Sequence, residues 1–333
     1  MIIKKFSTIN EIHPNWNLLV NSAYQKLEFL LHLEKYNPCK QRYYIGLDSN
    51  KIVCGAVVYS LKMNLLTFSN YSLTVSVSII GIPASVDASG IVGSDTEKNK
   101  ILILNILEQE KGLLLCLNYN AIEGIEKVIK MQTLPTLIFE KKNDTWNDFL
   151  MNIKHNYRHR ILKAESKIKQ VEKRIEPCSC FTKNHYNQYL AIMMHSKTKL
   201  EILSFDFFYN LSDKYKLISL YHGNDLLVWH ISIFDDSTYY FLFGGINYEL
   251  RDRFDSYCNN LISIIKEGFD TQCKTINFGQ TATISKNRLG AKIVSLSMFL
   301  YHHNLIIRLL LSLSKNILSY EIKNENVTIY KNE

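Results

Sequence analysis

The chain has 333 residues, of which 47% are apolar and 21% charged, a composition that supports full cores and excludes a disordered, fibrous or low-complexity protein. That length exceeds one average domain and implies two. The net charge of +8 is a modest bias, short of the extreme that marks a dedicated nucleic-acid binder, and seven cysteines without regular spacing argue against a disulfide framework and for a reducing compartment, the cytoplasm. Cys178-Ser179-Cys180 lacks a second pair nearby and reads as buried free thiols rather than a metal site. Met1 to Lys5 turns polar at once, against a signal peptide, and no apolar run is long enough for a transmembrane segment.

Residues 1–9 alternate weakly, as an edge strand does, and Trp16 to Leu33 carries apolar residues at helical spacing. Tyr43 to Leu47 and Val53 to Leu61 are predicted strands joined by the turn triplet Asp48-Ser49-Asn50. A further alternating strand covers 72–80, and Gly81-Ile82-Pro83 opens a small-residue loop through Ser94. A helix over Lys100–Gln109, a strand over Leu113–Leu117, a helix over Ile122–Met131 and a strand over Leu134–Phe139 follow. The expected fold class is α/β (an α+β mixed sheet), a twisted sheet flanked by helices.

Trp146 to Arg174 reads as one helix at the join of domains 1–150 and 151–333. Ile153, Tyr157, Ile161, Ala164, Ile168 and Val171 make its apolar stripe, and Lys154, Arg158, Arg160, Lys163, Lys167, Lys169, Lys173 and Arg174 make a basic face. The second half then repeats the plan of the first, with helices over His185–Met194 and Phe205–Leu211 and strands over Leu217–Tyr221 and Leu226–Phe234 joined by a turn at His222–Asp225, an order that fits a duplication. Tyr239 to Phe243 is aromatic throughout, as in a strand buried on both faces, and Gly244-Gly245 after it is expected as a sharp turn or as bare backbone against a ligand. From Asp252 an amphipathic helix presents Phe254, Tyr257, Leu261, Ile264 and Ile265, with Gly268 as its C-cap. Ile276 to Phe278 is a strand that Gly279 ends. Ser295 to Ser314, interrupted by His302, His303, Asn304 and Arg308, reads as a strand and an amphipathic helix whose apolar face suits core packing first and contact with a membrane surface second.

The ordered set Phe243-Gly244-Gly245, helix, Asn277-Phe278-Gly279-Gln280-Thr281 and Lys286-x-x-x-Gly290-Ala291 resembles the FemAB-like branch of the GNAT acyltransferases over residues 150–300. The usual pattern there is Asp-Phe-Gly-Arg, a short loop, then Phe-Lys-x-x-Trp/Phe-Gly. Here Asn277 stands for the Asp, Gln280 for the Arg, Ser285 for the Phe and Leu289 for the aromatic residue. The resemblance implies two tandem GNAT-like domains and an N-acyltransferase that forms an amide. It implies an activated acyl donor carrying phosphate (acyl-CoA, acyl-carrier protein or aminoacyl-tRNA) as co-substrate, no tightly bound cofactor, and an amine acceptor that is lipid- or nucleotide-linked or a natural-product amine. By the same resemblance Lys286 would meet the charge developing on a carbonyl oxygen, and the basic helix, Arg158 and Arg160 first, would hold phosphate.

Each candidate has a plainer reading. The basic face serves equally as a solvated surface, the loop Gln280 to Ala291 as a polar connection, and Gly244-Gly245 as a turn. His230, between Trp229 and Ile231 and so on the opposite strand face from both, reads as a satisfied structural histidine before a general base. Glu249, Asp252 and Glu201 are the other groups able to deprotonate an ammonium. Phe278, Gly279, Gln280, Thr281 and Arg288 complete the expected substrate-binding set. Arg288-Leu289-Gly290-Ala291 is too short and too late for a pyrophosphate loop, so no coenzyme A site is read from it. The alternative reading is a non-catalytic GNAT-like module that binds RNA or an anionic surface through the basic helix.

Overall fold

A computed structural model describes residues 1–37, 39–196, 198–322 and 327–331. In chain order it contains β1 (Ile2–Phe6), α1 (Leu27–Tyr36), β2 (Gln41–Asp48), β3 (Lys51–Asn64), β4 (Thr74–Ile80), β5 (Ile91–Val92), α2 (Thr96–Gln109), β6 (Leu113–Cys116), β7 (Ile129–Gln132) and β8 (Thr136–Glu140). Then come α3 (Trp146–Asn152), α4 (His155–Ser166), β9 (Glu172–Pro177), α5 (Lys183–His195), α6 (Phe205–Tyr209), β10 (Lys216–His222), β11 (Asp225–Asp235) and β12 (Thr238–Ile246). The last elements are α7 (Arg251–Phe254), α8 (Ser256–Asp270), β13 (Thr275–Asn277), α9 (Thr283–Asn287), β14 (Lys292–Val294), β15 (Ser297–His302), α10 (Leu305–Leu313) and α11 (Lys315–Leu318).

The chain divides into two compact units that are not the contiguous 1–150 and 151–333. One comprises Met1–Leu134, Lys197–Ser204 and Ser295–Ile322, the other Pro135–Ser196, Phe205–Val294 and Lys323–Glu333. The reason lies in the sheets. The first runs β1-β2-β3-β4-β6-β15-β7, with β5 on β3, and the second β9-β10-β11-β12-β13-β8-β14. Position for position they match: every pair is antiparallel except β4–β6 and β12–β13, which are parallel. Parallel neighbours need a long crossover, which α2 and α8 supply. β8 comes from the first half of the chain and fills the place in the second sheet that β15, from the second half, fills in the first. No sequence cut could separate the units, because each sheet borrows a strand from the other half.

Side-chain alternation sets the cores. In β3, Val58 packs on the α2 side with Leu102, Ile103 and Ile106, and Tyr59 on the other with Val77, Ile79 and Met131. Each such side chain contributes about 1.5–3 kcal/mol by leaving water. The β2–β3 hairpin turns at Ser49 and Asn50, both at positive φ, as a two-residue turn of the favoured hand requires.

Several local expectations fail. Trp16 to Leu33 is helical only from Leu27, and Trp16 instead lies in a short 3-10 turn, its Nε1 donating to Gln25 O at 2.8 Å. Ile122 to Met131 is not a helix: Gly124 and Lys127 take positive φ, and Ile129–Gln132 alternates buried and exposed as β7. Trp146 to Arg174 breaks at Lys154, which is extended and donates its N–H to Ile329 O, and the helix ends at Ser166, so that Lys173 and Arg174 fall on β9. Gly268 is not a cap. It lies buried within α8, where an added Cβ would come 2.4 Å from Ile276 Cδ1, and the helix ends at Thr271. Cys178 is buried as expected, but Cys180 is exposed.

Candidate functional site

One ladder of the second unit is short. The parallel ladder of β12 and β13 covers only Thr238↔Thr275, Tyr239↔Ile276 and Tyr240↔Asn277, while β12 runs on to Ile246 paired with β11. Where that ladder stops, β12 carries a bulge: Ser232 faces Phe241 and Ile231 faces Phe243, leaving Leu242 over. A bulge re-aims side chains. Here it sends Phe241 to the face of His230 and Phe243 to the opposite face, among Tyr189, Phe207 and Phe208.

On the β13 side the chain leaves the sheet through a tight, over-determined turn. Asn277 Oδ1 accepts from Gly279 N at 2.7 Å, which shows what Asn retains where the resembled family has Asp: the turn-capping oxygen without the charge. Gly279, Thr281 and Ala282 all take positive φ. Glycine accepts this freely, but a β-branched threonine there costs on the order of 1–3 kcal/mol, and such strain concentrates at functional sites.

Lys286 holds this turn in shape. It lies on α9, 2% exposed, and its Nζ donates to Phe278 O and Gln280 O, both at 2.7 Å, with the Phe241 ring centroid 5.8 Å away. The ammonium therefore does not reach out past the turn, as the sequence reading had it. The consequence passes through the peptide plane: in a trans peptide C=O and N–H point in opposite directions. With Gln280 O drawn onto Lys286, the Thr281 N–H points away from it, and that N–H has no hydrogen-bond acceptor among the described residues. Thr281 is exposed. A fixed, unpaired backbone donor beside an open strand edge is what a developing oxyanion needs.

His230 is fully buried on β11. Its Nδ1 lies 2.7 Å from Asn260 Oδ1, and Nε2 has no partner among the described residues, so it is only half satisfied. Burial pushes its pKa down to about 3, against the Asn260 hydrogen bond, and the ring is neutral. Its ring lies 6.2 Å from that of Phe241, whose centroid is 5.8 Å from Lys286 Nζ, and no hydrogen bond joins His230 to Lys286. Glu249 is exposed in the turn after β12, near neither. Asp252 is exposed and paired with Arg251, and Glu201 belongs to the first unit, where burial raises its carboxyl to about 7. The structure thus brings together Phe278, Gly279, Gln280, Thr281 and Lys286. It does not bring His230 or Glu249 to them.

Gly244 and Gly245 are not a turn. They are strand residues opposite His230 and Trp229, and an added Cβ at Gly245 would sit 2.1 Å from Trp229 Nε1. Trp229 is the residue the sequence reading missed. Fully buried, it donates to His185 O at 3.1 Å and meets Phe181 edge-on at 5.0 Å. Only the register reveals the match between its bulk and the bare glycine.

Arg158 is half-buried and Arg160 exposed on α4, which packs on α8 through Asn259, whose Nδ2 donates to Ala164 O. Neither arginine has a carboxylate partner among the described residues, whereas Lys167, Lys173 and Arg174 are paired with Asp255, Glu267 and Glu172. Arg158 and Arg160 make no hydrogen bond to the turn at 278–282. Arg288, the residue that ends α9, is exposed, while its neighbours Lys286 and Asn287 are buried.

The buried histidines of this unit give a pH prediction. Burial also lowers His185, to about 4. Both folded-state values lie below the unfolded value near 6.5, so the unfolded chain takes up protons that the folded chain refuses. Their contribution is complete above about pH 6.5 and is lost as pH falls toward 4, at about 1.4 kcal/mol per pH unit for each. Urea midpoints measured from pH 7.5 to 4.5 should fall, and fall less in a His230→Gln variant. Equal slopes for the two proteins would contradict the assignment.

No family model matches this sequence, and no curated protein matches it. Among solved structures the likeness is to the tandem GNAT fold. The structure of FemX aligns with a TM-score of 0.58 at 12% identity, covering 93% of this chain and 100% of that one. The C-terminal domain of a putative lysylphosphatidylglycerol synthetase from Agrobacterium fabrum aligns at 0.54 and 8% identity, covering 92% and 95%. A tandem GNAT protein from the clavulanic acid biosynthesis pathway aligns at 0.50 and 5% identity, covering 90% and 98%. At these identities what is shared is the fold: two GNAT-like domains, each a mixed sheet flanked by helices.

Proposed function

We propose that this chain is an N-acyltransferase. It moves an acyl or aminoacyl group from an activated, phosphate-bearing donor (acyl-CoA, acyl-carrier protein or aminoacyl-tRNA) to an amine. The observation that carries the reading is the strained turn Phe278–Ala282 at the end of the short β12–β13 ladder, held from inside by Lys286. The acceptor nitrogen attacks the donor carbonyl, a C–N bond forms, and the carbonyl oxygen takes negative charge. The Thr281 N–H meets that charge. The ester or thioester bond then breaks, and the amine proton passes to solvent or to a carboxylate within reach. Lys286 is a positioning residue here: it fixes the direction of the peptide that carries the donor, and its charge adds favourable potential at short range. Arg158 and Arg160, left unpaired on α4, supply phosphate affinity for the donor.

The test begins with native mass spectrometry of the purified protein, which identifies a co-purifying acyl-CoA, carrier-bound or tRNA-bound donor, followed by an amide-formation assay with it. Thr281→Gly keeps the backbone N–H and relieves the left-handed strain, so it should retain activity within about threefold. Loss of activity on that substitution would move the chemistry from the backbone to the threonine side chain. Arg158→Gln with Arg160→Gln should raise KM for the donor and leave kcat nearly unchanged. The second reading, a binding module, rests on the same unpaired arginines. It predicts salt-dependent RNA binding that this double variant abolishes, with no turnover of any donor.

A further inference from the structure

α10, expected to pack on the core first and to meet a membrane surface second, leaves most of its apolar side chains uncovered. Leu305, Ile306, Leu309, Leu310 and Leu313 are 58–77% exposed, and none of the nine residues of the helix is buried. Leu311, partly buried, is its one link to the core cluster beneath. The β3–β4 hairpin loop belongs to the same edge of this unit: Phe68 packs on that cluster and meets Tyr320, just past α11, at 5.3 Å. That loop leaves Tyr71 70% and Leu73 49% exposed. Soluble monomers rarely leave so many large aliphatic side chains side by side in water.

α10 and α11 carry two cations and no acid, the first carboxylate after them being Glu321. From Thr271 to Tyr320 the sequence contains no Asp or Glu, and from Ser49 to Val86 none either. Arg308 and Lys315 are the charged side chains of the two helices, whereas Lys62 and Lys130 alternate with core residues of this cluster and face the α2 side of the sheet. We propose that α10 and the β3–β4 loop form a docking face for an anionic lipid bilayer. The helix lies in the interface with its leucines among the acyl chains and the cations at the headgroups, while Tyr71 takes the boundary position favoured by tyrosine. Nine residues are far too few to span a bilayer, which takes about 20, and no helix among the described residues is long and apolar enough to cross one. A second copy of the chain fits the face less well, because a symmetric contact would set the same cations against one another. The inference does not rest on the acyltransferase reading and is measured without turnover.

The test is co-sedimentation of the full chain with vesicles of phosphatidylcholine alone and of phosphatidylcholine with 30% phosphatidylglycerol, at about 0.1 M and 0.5 M salt. The expected result is binding to the anionic vesicles at least tenfold tighter than to the neutral ones, weakened by salt. Ile306→Glu with Leu310→Glu should reduce it at least tenfold with the melting temperature unchanged, since both side chains are exposed. Arg308→Gln with Lys315→Gln should reduce the preference for anionic vesicles and leave the residual binding to neutral ones. Absence of anionic vesicle binding, or equal binding by the Ile306/Leu310 variant, overturns the proposal. So does a concentration-dependent dimer that the same variant abolishes while vesicles capture nothing.

Discussion

A Lys286→Met variant should lose about 3 kcal/mol of stability and at least a hundredfold in amide formation. Methionine matches the length and the apolar stem of lysine, so the cavity term is small. What it removes is the donor to two carbonyls, Phe278 O and Gln280 O. A buried polar group left unsatisfied costs about 1–3 kcal/mol. The turn would then relax out of its left-handed conformations at Gly279, Thr281 and Ala282, and the Thr281 N–H would lose its direction. Loss of one oxyanion donor costs roughly 10²–10³ in rate. Chemical denaturation and single-turnover kinetics on the same preparation separate the two effects. A variant that is destabilised but turns over normally would show that the turn's geometry has no part in the chemistry. The exposed Arg288→Gln should be neutral for stability, within about 0.5 kcal/mol.

Gly245→Ala is expected to destabilise by about 2–3 kcal/mol, near the upper end of the usual overpacking range. The added methyl would come 2.1 Å from Trp229 Nε1 and 2.9 Å from Gln188 Cβ, and neither has room to retreat in an interior where Phe181 and Phe208 close around the indole. A double-mutant cycle checks the mechanism. In a Trp229→Phe background, which gives up the smaller of the two indole rings and its hydrogen bond to His185 O, the same Gly245→Ala change should cost at least 1 kcal/mol less. Additive effects would mean that the glycine is required for some other reason, with the ligand-facing backbone of the sequence reading as the first alternative.

The local physics was legible in the residues. Alternation and turn chemistry located β2, β3, β4, β6 and β10 to β13, because period-two burial and Asp48-Ser49-Asn50 or His222-Gly223-Asn224 punctuation act within a few residues of one another. The ordered Gly-Gly, Phe-Gly and Lys-x-x-x-Gly landmarks pointed to the tandem GNAT fold, and both sheets have that form. Only the tertiary structure decided which strand completes which sheet, since the exchange of β8 and β15 depends on pairings more than a hundred residues apart. It also decided direction. Sequence named Lys286, but whether its ammonium reaches outward or turns in beneath Phe278 and Gln280 is fixed by the fold around α9. The apolar spacing of α10 was plain in the chain, yet the same pattern suits a core or an interface, and only packing against neighbours distant in sequence tells the two apart.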